Sequence, residues 1–397
     1  MTGARAAASP PPLVAIAARA TPADRAERVP ALDGLRGVAI VLVLLVHLCS
    51  NVPTPAGSTA LDLLRRVCSL GYAGVDLFFV LSGYLIGGIL LDHRASPRLL
   101  PAFYARRFFR IVPLYALLLV SFFAAQAIPS LSRVNHGTYF SSTVPTWSFL
   151  VFGQNIAMAW QRDVGPYWLG VTWSLAVEEQ FYLLAPLVVQ RFAPRHLGRI
   201  CLAGMVIAPV LRVIALQHAQ NSFAAIFLLP LRPDGLLAGI WCACLVRDPI
   251  AVTALRRQRG ALGAVIVVLG AAFVGTSFLG LPADSLPIAT VGYALFAGLF
   301  AALLLQVVLH ADGWVARLLS GRSLAAVGVT SYFTYLFHDP IWYTLHWAFF
   351  RRPPLHNDWQ AGAVTLLAVG ATLGAAWMSW RWFEGPVLRW ARRFSYV

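Results

Sequence analysis

Arg36 and His47 stand eleven residues apart in the apolar stretch LDGLRGVAIVLVLLVHLC, residues 32–49. Eleven steps of about 100° make three turns plus roughly 20°, so a helix here puts both side chains on one face, about 16 Å apart along its axis. A guanidinium can hold phosphate bidentately, and an imidazole can accept a proton near neutral pH. The pair suits a long ligand with a phosphorylated head and a reactive tail.

Further ionisable groups fall inside apolar stretches. Each costs about 2.5–3.5 kcal/mol near a bilayer centre and so marks a candidate site. GYAGVDLFFVLSGYLIGGILL (71–91) carries Asp76, read either as a site residue or as the neutraliser of a nearby arginine, with Ser82 and Tyr84 as cavity candidates. FYARRFFRIVP (103–113) carries Arg106, Arg107 and Arg110. Arg106 and Arg110 share a face at i, i+4, either as membrane anchors or as a phosphate clamp beside Arg36. TWSLAVEEQFYLLAP (172–186) sets Glu178 and Glu179 between Trp173 and Tyr182. Neighbouring helical residues diverge by about 100°, so at most one of the two carboxylates faces a given site. At least one is expected to pair with an arginine, Arg212 and Arg232 being natural partners. RPDGLLAG (232–239) adds Asp234, SYFTYLFHDP (331–340) adds His338 and Asp339, and RWFEGPVLR (381–389) adds Glu384.

The elements that must position these groups are membrane spans. Of 397 residues, 59% are hydrophobic and only 12% charged, with mean hydropathy +0.70. A soluble chain carries charge on about a quarter of its residues. The net charge of +15 rests on 31 basic residues, all arginine, so Schiff-base chemistry and a phosphate-loop lysine are excluded. These arginines sit in short loops between apolar runs, which is a pattern of membrane orientation, and nucleic-acid binding is not expected. The five cysteines (Cys49, Cys68, Cys201, Cys242, Cys244) contain no CxxC pair and support neither a zinc site nor a disulfide framework.

Apolar runs of about 20 residues fall near 33–52, 70–92, 110–128, 167–190, 199–217, 222–246, 261–280, 286–309, 324–349 and 361–384. The stretch 146–160 is apolar but short and carries Gln154 and Asn155. Counting it as a span would move every later arginine block to the other side. It is therefore read as re-entrant or interfacial, leaving ten spans with both ends cytoplasmic. The expected fold is all-α, a polytopic membrane protein with about ten transmembrane helices around a polar central cavity. Residues 1–30 read as a disordered cytoplasmic tail, 31–390 as the transmembrane domain and 391–397 as a cytoplasmic C-terminal tail.

Taken in order, LDGLRG with R-x10-H (Arg36, His47), GVDLFFVLSGYLI, RRFFRIVP, WSLAVEEQFYL, RPDGLLAG, SYFTYLFHDP and FEGP resemble the acyltransferase-3 family of bacterial integral-membrane O-acyltransferases. The resemblance covers about residues 31–387. It implies transfer of an acyl group, commonly acetyl, from cytoplasmic acyl-CoA to a hydroxyl of a carbohydrate, with Arg36 and His47 needed for activity; no metal is expected. The acceptor it implies is a cell-surface glycan or its lipid-linked precursor, or alternatively a small glycoside such as a macrolide antibiotic. Some members append a hydrolase-like domain after the last span, and none is expected here.

On that reading Arg36, helped by Arg106, Arg107 or Arg110, holds the CoA head, and the pantetheine arm runs along the first helix to His47. His47 is the general base, with Glu178 or Glu179 orienting its ring. Ser82, Tyr182, Trp173 or an arginine supplies the donor to the oxyanion. The cavity is expected to take in Asp76, Tyr84, Arg232, Asp234 and His338 as well. A direct ternary mechanism and an acyl-histidine relay both fit. A proton-coupled transporter is the rival from another class, but the sequence shows no halves that repeat each other.

Overall fold

In hydrocarbon every backbone N–H and C=O must be satisfied within the chain, so apolar runs of this length become helices. A computed structural model of the chain describes residues 29–49, 59–128, 139–217, 221–281, 285–351, 354 and 359–396. Among these residues every regular element is helical. The expected N-terminal tail lies outside them. The helices that matter for the site are α1 (Pro30–Cys49), α2 (Gly74–Asp92), α3 (Leu99–Ala127), α4 (Thr172–Arg191), α5 (Pro194–Gln217), α6 (Asp234–Leu245), α7 (Tyr293–Leu309), α8 (Arg322–Val329), α9 (Ser331–Phe350) and α10 (Trp359–Ser379).

Seven described helices are long and apolar enough to cross a membrane, or eight if α6 and Pro249–Arg257, bent by 99°, form one span. Helices α4 and α9 have the length of a span, 20 residues each, but their polar and aromatic side chains lower the hydropathy. The expected count of ten is thus approximate, and it is reached only when these two polar helices are included. The 146–160 stretch forms two short helices, Trp147–Leu150 and Gln154–Gln161, neither able to span. Trp160 is 84% exposed while Gln154 and Asn155 are buried, bonded to the Thr172 carbonyl and to Gln180 and the Phe227 carbonyl respectively.

Two close helix contacts fix the frame. A Cβ on Gly83 of α2 would sit 2.0 Å from the Leu236 carbonyl oxygen of α6, and one on Gly328 of α8 would sit 1.7 Å from the Asp33 carbonyl oxygen of α1. Only hydrogen fits at either place. Without a hydrophobic force between helices in lipid, such backbone approach is what holds them together. Outward-facing side chains are apolar instead: Leu187, Val206, Val267 and Leu366 are all exposed. Helices α1, α2, α3, α4 and α9 each turn some polar residues inward, and the cavity lies among them.

Candidate active site

The cavity measures about 310 Å³. Each wall is one stripe of a helix at i, i+3, i+4 spacing. Helix α2 contributes Val75, Phe78, Phe79, Ser82, Leu85, Ile86 and Ile89; α3 contributes Arg107, Arg110 and Ile111. Helix α4 contributes Ser174, Leu175, Glu178 and Tyr182, and α9 contributes Ser331, Tyr332 and Tyr335. From Val75 to Ile89 the α2 wall is about 21 Å long, at 1.5 Å per residue.

Three guanidinium groups crowd one end. Arg36 of α1, Arg107 and Arg110 all line the cavity. Arg36 is held by Asp33 at 3.1 Å and keeps 29% of its side-chain exposure, so it remains reachable from outside. Glu384, from the turn after α10, and Tyr332 flank Arg110. The Arg107 Nε is buried without a hydrogen-bond partner. Like charges gathered this way repel unless an anion sits among them, and a phosphate supplies one in the right geometry.

In the middle stands Glu178, with the Ser82 and Tyr182 hydroxyls beside its carboxylate and Arg107 and Arg36 within electrostatic reach. Ser82 and Tyr182 are hydrogen-bonded to each other. Glu178 faces inward because it stacks over Ser174 and under Tyr182 at i±4. Glu179 is turned about 100° away, does not line the cavity, and its Oε1 is buried without a hydrogen bond. Toward the far end the Ser174 and Tyr335 hydroxyls are 2.6 Å apart.

Beyond Tyr335 lie the imidazoles. The Tyr335 ring is 6.3 Å from His338, whose ring meets that of His47 edge-on at 4.8 Å. His47 Nδ1 is 2.8 Å from the Val43 carbonyl oxygen and so donates to it. Arg36 and His47 therefore do mark the two ends of α1, one in the cavity wall and the other just past its far limit. The carboxylate that accompanies His47 is Asp339: one ligand-type atom from each of His47, His338 and Asp339 lies within 4.8 Å of the others. The neighbours of Glu178 are instead Ser82, Tyr182, Arg36 and Arg107. Nothing in the local sequence pattern could have chosen among these carboxylates, since Asp339 comes from the opposite end of the chain.

Several expected site residues serve the frame instead. Asp76 is bonded to Arg232 at 2.8 Å, both nearly fully buried, and Arg232 lies 3.6 Å over the Tyr293 ring. Asp234 is held bidentately by Arg212 at 2.6 and 3.1 Å. The arginines expected to partner the glutamates are thus taken by aspartates. Trp173 packs against Phe79, Phe227 and Arg232 rather than the cavity. Tyr84 faces Arg247 and Asp92 on the opposite side of α2 from Ser82. Arg106 donates to the Phe394 carbonyl at 2.7 Å and stacks on Tyr396, away from Arg110, because its long side chain reaches the carbonyls at the end of the last helix. The pair that shares the cavity is Arg107 and Arg110, at i, i+3.

Comparison with known proteins identifies the family. The acyltransferase domain family matches residues 29–381. The peptidoglycan O-acetyltransferase OatA of Listeria monocytogenes is 28% identical over 380 residues, covering 90% of this chain and 56% of that protein. The O-acetyltransferase OatA of Staphylococcus aureus is 29% identical over 327 residues, covering 79% of this chain and 50% of its own length. The chain spans about half the length of the curated relatives it matches. No solved structure matches it.

Proposed function

The chain belongs to the acyltransferase domain family, and from that premise we propose that it is a membrane O-acetyltransferase. It moves an acetyl group from acetyl-CoA to a hydroxyl of a cell-wall glycan, the acceptor class named for its Listeria relative. The observation that carries the reading is a cavity walled at one end by Arg36, Arg107 and Arg110, with His338 and His47, which do not line it as expected, stacked in sequence behind the Tyr335 ring at its other end.

The guanidinium groups take the phosphates of CoA, and the long apolar stripe of α2 takes the pantetheine arm. The thioester then reaches the far end, near the Ser174 and Tyr335 hydroxyls, which turn from the Val171 carbonyl they now bond to donate to the oxygen as negative charge develops on it. His47 accepts the proton of the attacking hydroxyl, since a hydroxyl is a poor nucleophile while it holds that proton. The arginine end faces the cytoplasm, where acyl-CoA is found, with both chain ends on that side and the protein in the bacterial cytoplasmic membrane. This orientation follows the arginine-rich loops.

The experiment is radiolabelled acetyl-CoA with the purified protein in liposomes and soluble peptidoglycan fragments as acceptor. An alkali-labile labelled ester on the glycan is the expected product. Label appearing only on a macrolide glycoside would change the acceptor class. Glycan flux without any ester would make the protein a carrier and end the proposal.

A further inference from the structure

The transfer chemistry uses His47, yet two more titratable groups converge on it. His338 Nδ1 lies 2.9 Å from the Tyr335 carbonyl oxygen and 3.1 Å from that of Thr334, so Nδ1 carries the hydrogen. A neutral imidazole then has only a lone pair at Nε2. That Nε2 is buried with no hydrogen-bond partner, in a residue 2% exposed, and Asp339 Oδ1 stands 3.5 Å from it. A lone pair facing a carboxylate in a buried site is unfavourable, and a proton on Nε2 would turn the repulsion into a charge-assisted hydrogen bond. The cluster has a place for one more proton, on the His338 Nε2.

We infer that His338 and Asp339 form a proton store for His47 during acyl transfer. This rests on the acetyltransferase reading. The acceptor O–H bond breaks as its oxygen bonds the acetyl carbon, and the proton passes to His47. It is then shared with His338 Nε2, with Asp339 as the counter-charge. The thioester C–S bond breaks with its electron pair on sulfur, and the thiolate takes the proton back to leave as the CoA thiol. No proton is gained or lost overall. His338 and Asp339 act through His47, so both are positioning residues. In this role Asp339 replaces the glutamates expected to orient the His47 ring.

The test compares His338→Ala and Asp339→Asn with wild type in liposomes, measuring kcat and KM for acetyl-CoA. Asp339→Asn keeps the side-chain shape and guards against a mere folding defect. Both variants are expected to lose about 10²-fold in kcat with KM unchanged, and added imidazole should restore part of the His338→Ala loss. Wild-type kcat in both variants would overturn the inference. So would a joint loss of kcat and CoA binding without imidazole rescue, which would mark a packing role. Metal analysis supplies a further arm: a stoichiometric divalent cation lost on His338→Ala would make the cluster a cation site instead. An inactive wild-type protein would sink the transfer reading and this inference together, whereas an active wild type with unaffected variants sinks the inference alone.

Discussion

Asp234→Ala separates frame from site. Arg212 Nη1 and Nη2 bond Asp234 at 2.6 and 3.1 Å, and the two side chains are 0% and 2% exposed. Arg212 also donates to the carbonyls of Leu231 and Ala289. Removing the carboxylate leaves a buried guanidinium with two carbonyl partners and no counter-charge. At a charge separation of about 4 Å and an effective dielectric of about 20, the lost attraction is roughly 4 kcal/mol. Breaking buried pairs generally costs about 3–5 kcal/mol, while replacing both partners with apolar side chains is near neutral. Asp234→Ala and Arg212→Met singly should therefore lower the thermal unfolding midpoint in detergent by on the order of 10 °C. Arg212→Met with Asp234→Leu should recover most of it. Because neither residue lines the cavity, the double variant should keep the wild-type KM for acetyl-CoA. A double variant as unstable as either single one would refute the ion-pair account. A stable double variant without transfer activity would show that Asp234 reaches the acceptor after all.

Arg36→Ala should raise KM for acetyl-CoA about 10–100-fold, the worth of one charge-assisted bond of about 1.5–3 kcal/mol, while Arg106→Ala should leave KM unchanged because Arg106 bonds the Phe394 carbonyl; initial rates against donor concentration decide this, and equal KM effects would contradict the separation. Outside the spans, burial pushes the Asp163 carboxyl up, but hydrogen bonds from the Thr143 N–H and hydroxyl, the Gly165 N–H and the Ser142 hydroxyl together hold it below the usual carboxylate range. A depressed pKa adds stability that is fully present above about pH 4 and lost as pH falls through the folded value, so Asp163→Asn should destabilise at pH 7 and do so less at pH 3, as thermal melts at the two pH values would show.

The membrane class and most spans were legible because burial in lipid imposes a one-dimensional rule: an apolar run long enough to cross must become a helix. That Glu178 and Glu179 cannot both face one site follows from helical geometry too, since adjacent positions differ by about 100° whatever surrounds them, but that Glu178 is the inward one only the packing decided. The polar helices α4 and α9 fall below the hydropathy of a span because the site itself sits on them. Arg106 was misplaced for a different reason: a spacing of four fixes where Cβ points, but a flexible arginine side chain goes to whichever carbonyls lie within reach.

The sequence by itself determined that this is a helical membrane protein, that Arg36 and His47 lie in line on one helix, and which residue types were available for chemistry. Only the tertiary structure decided the partners. Arg232 bonds Asp76 from 156 residues away, and His338 meets His47 across a still longer separation. Those choices depend on which glycine-lined faces let two helices touch, as Gly83 does with Leu236 and Gly328 with Asp33. Helical periodicity states where a side chain points along its own axis. It carries no information about which other helix will be standing there.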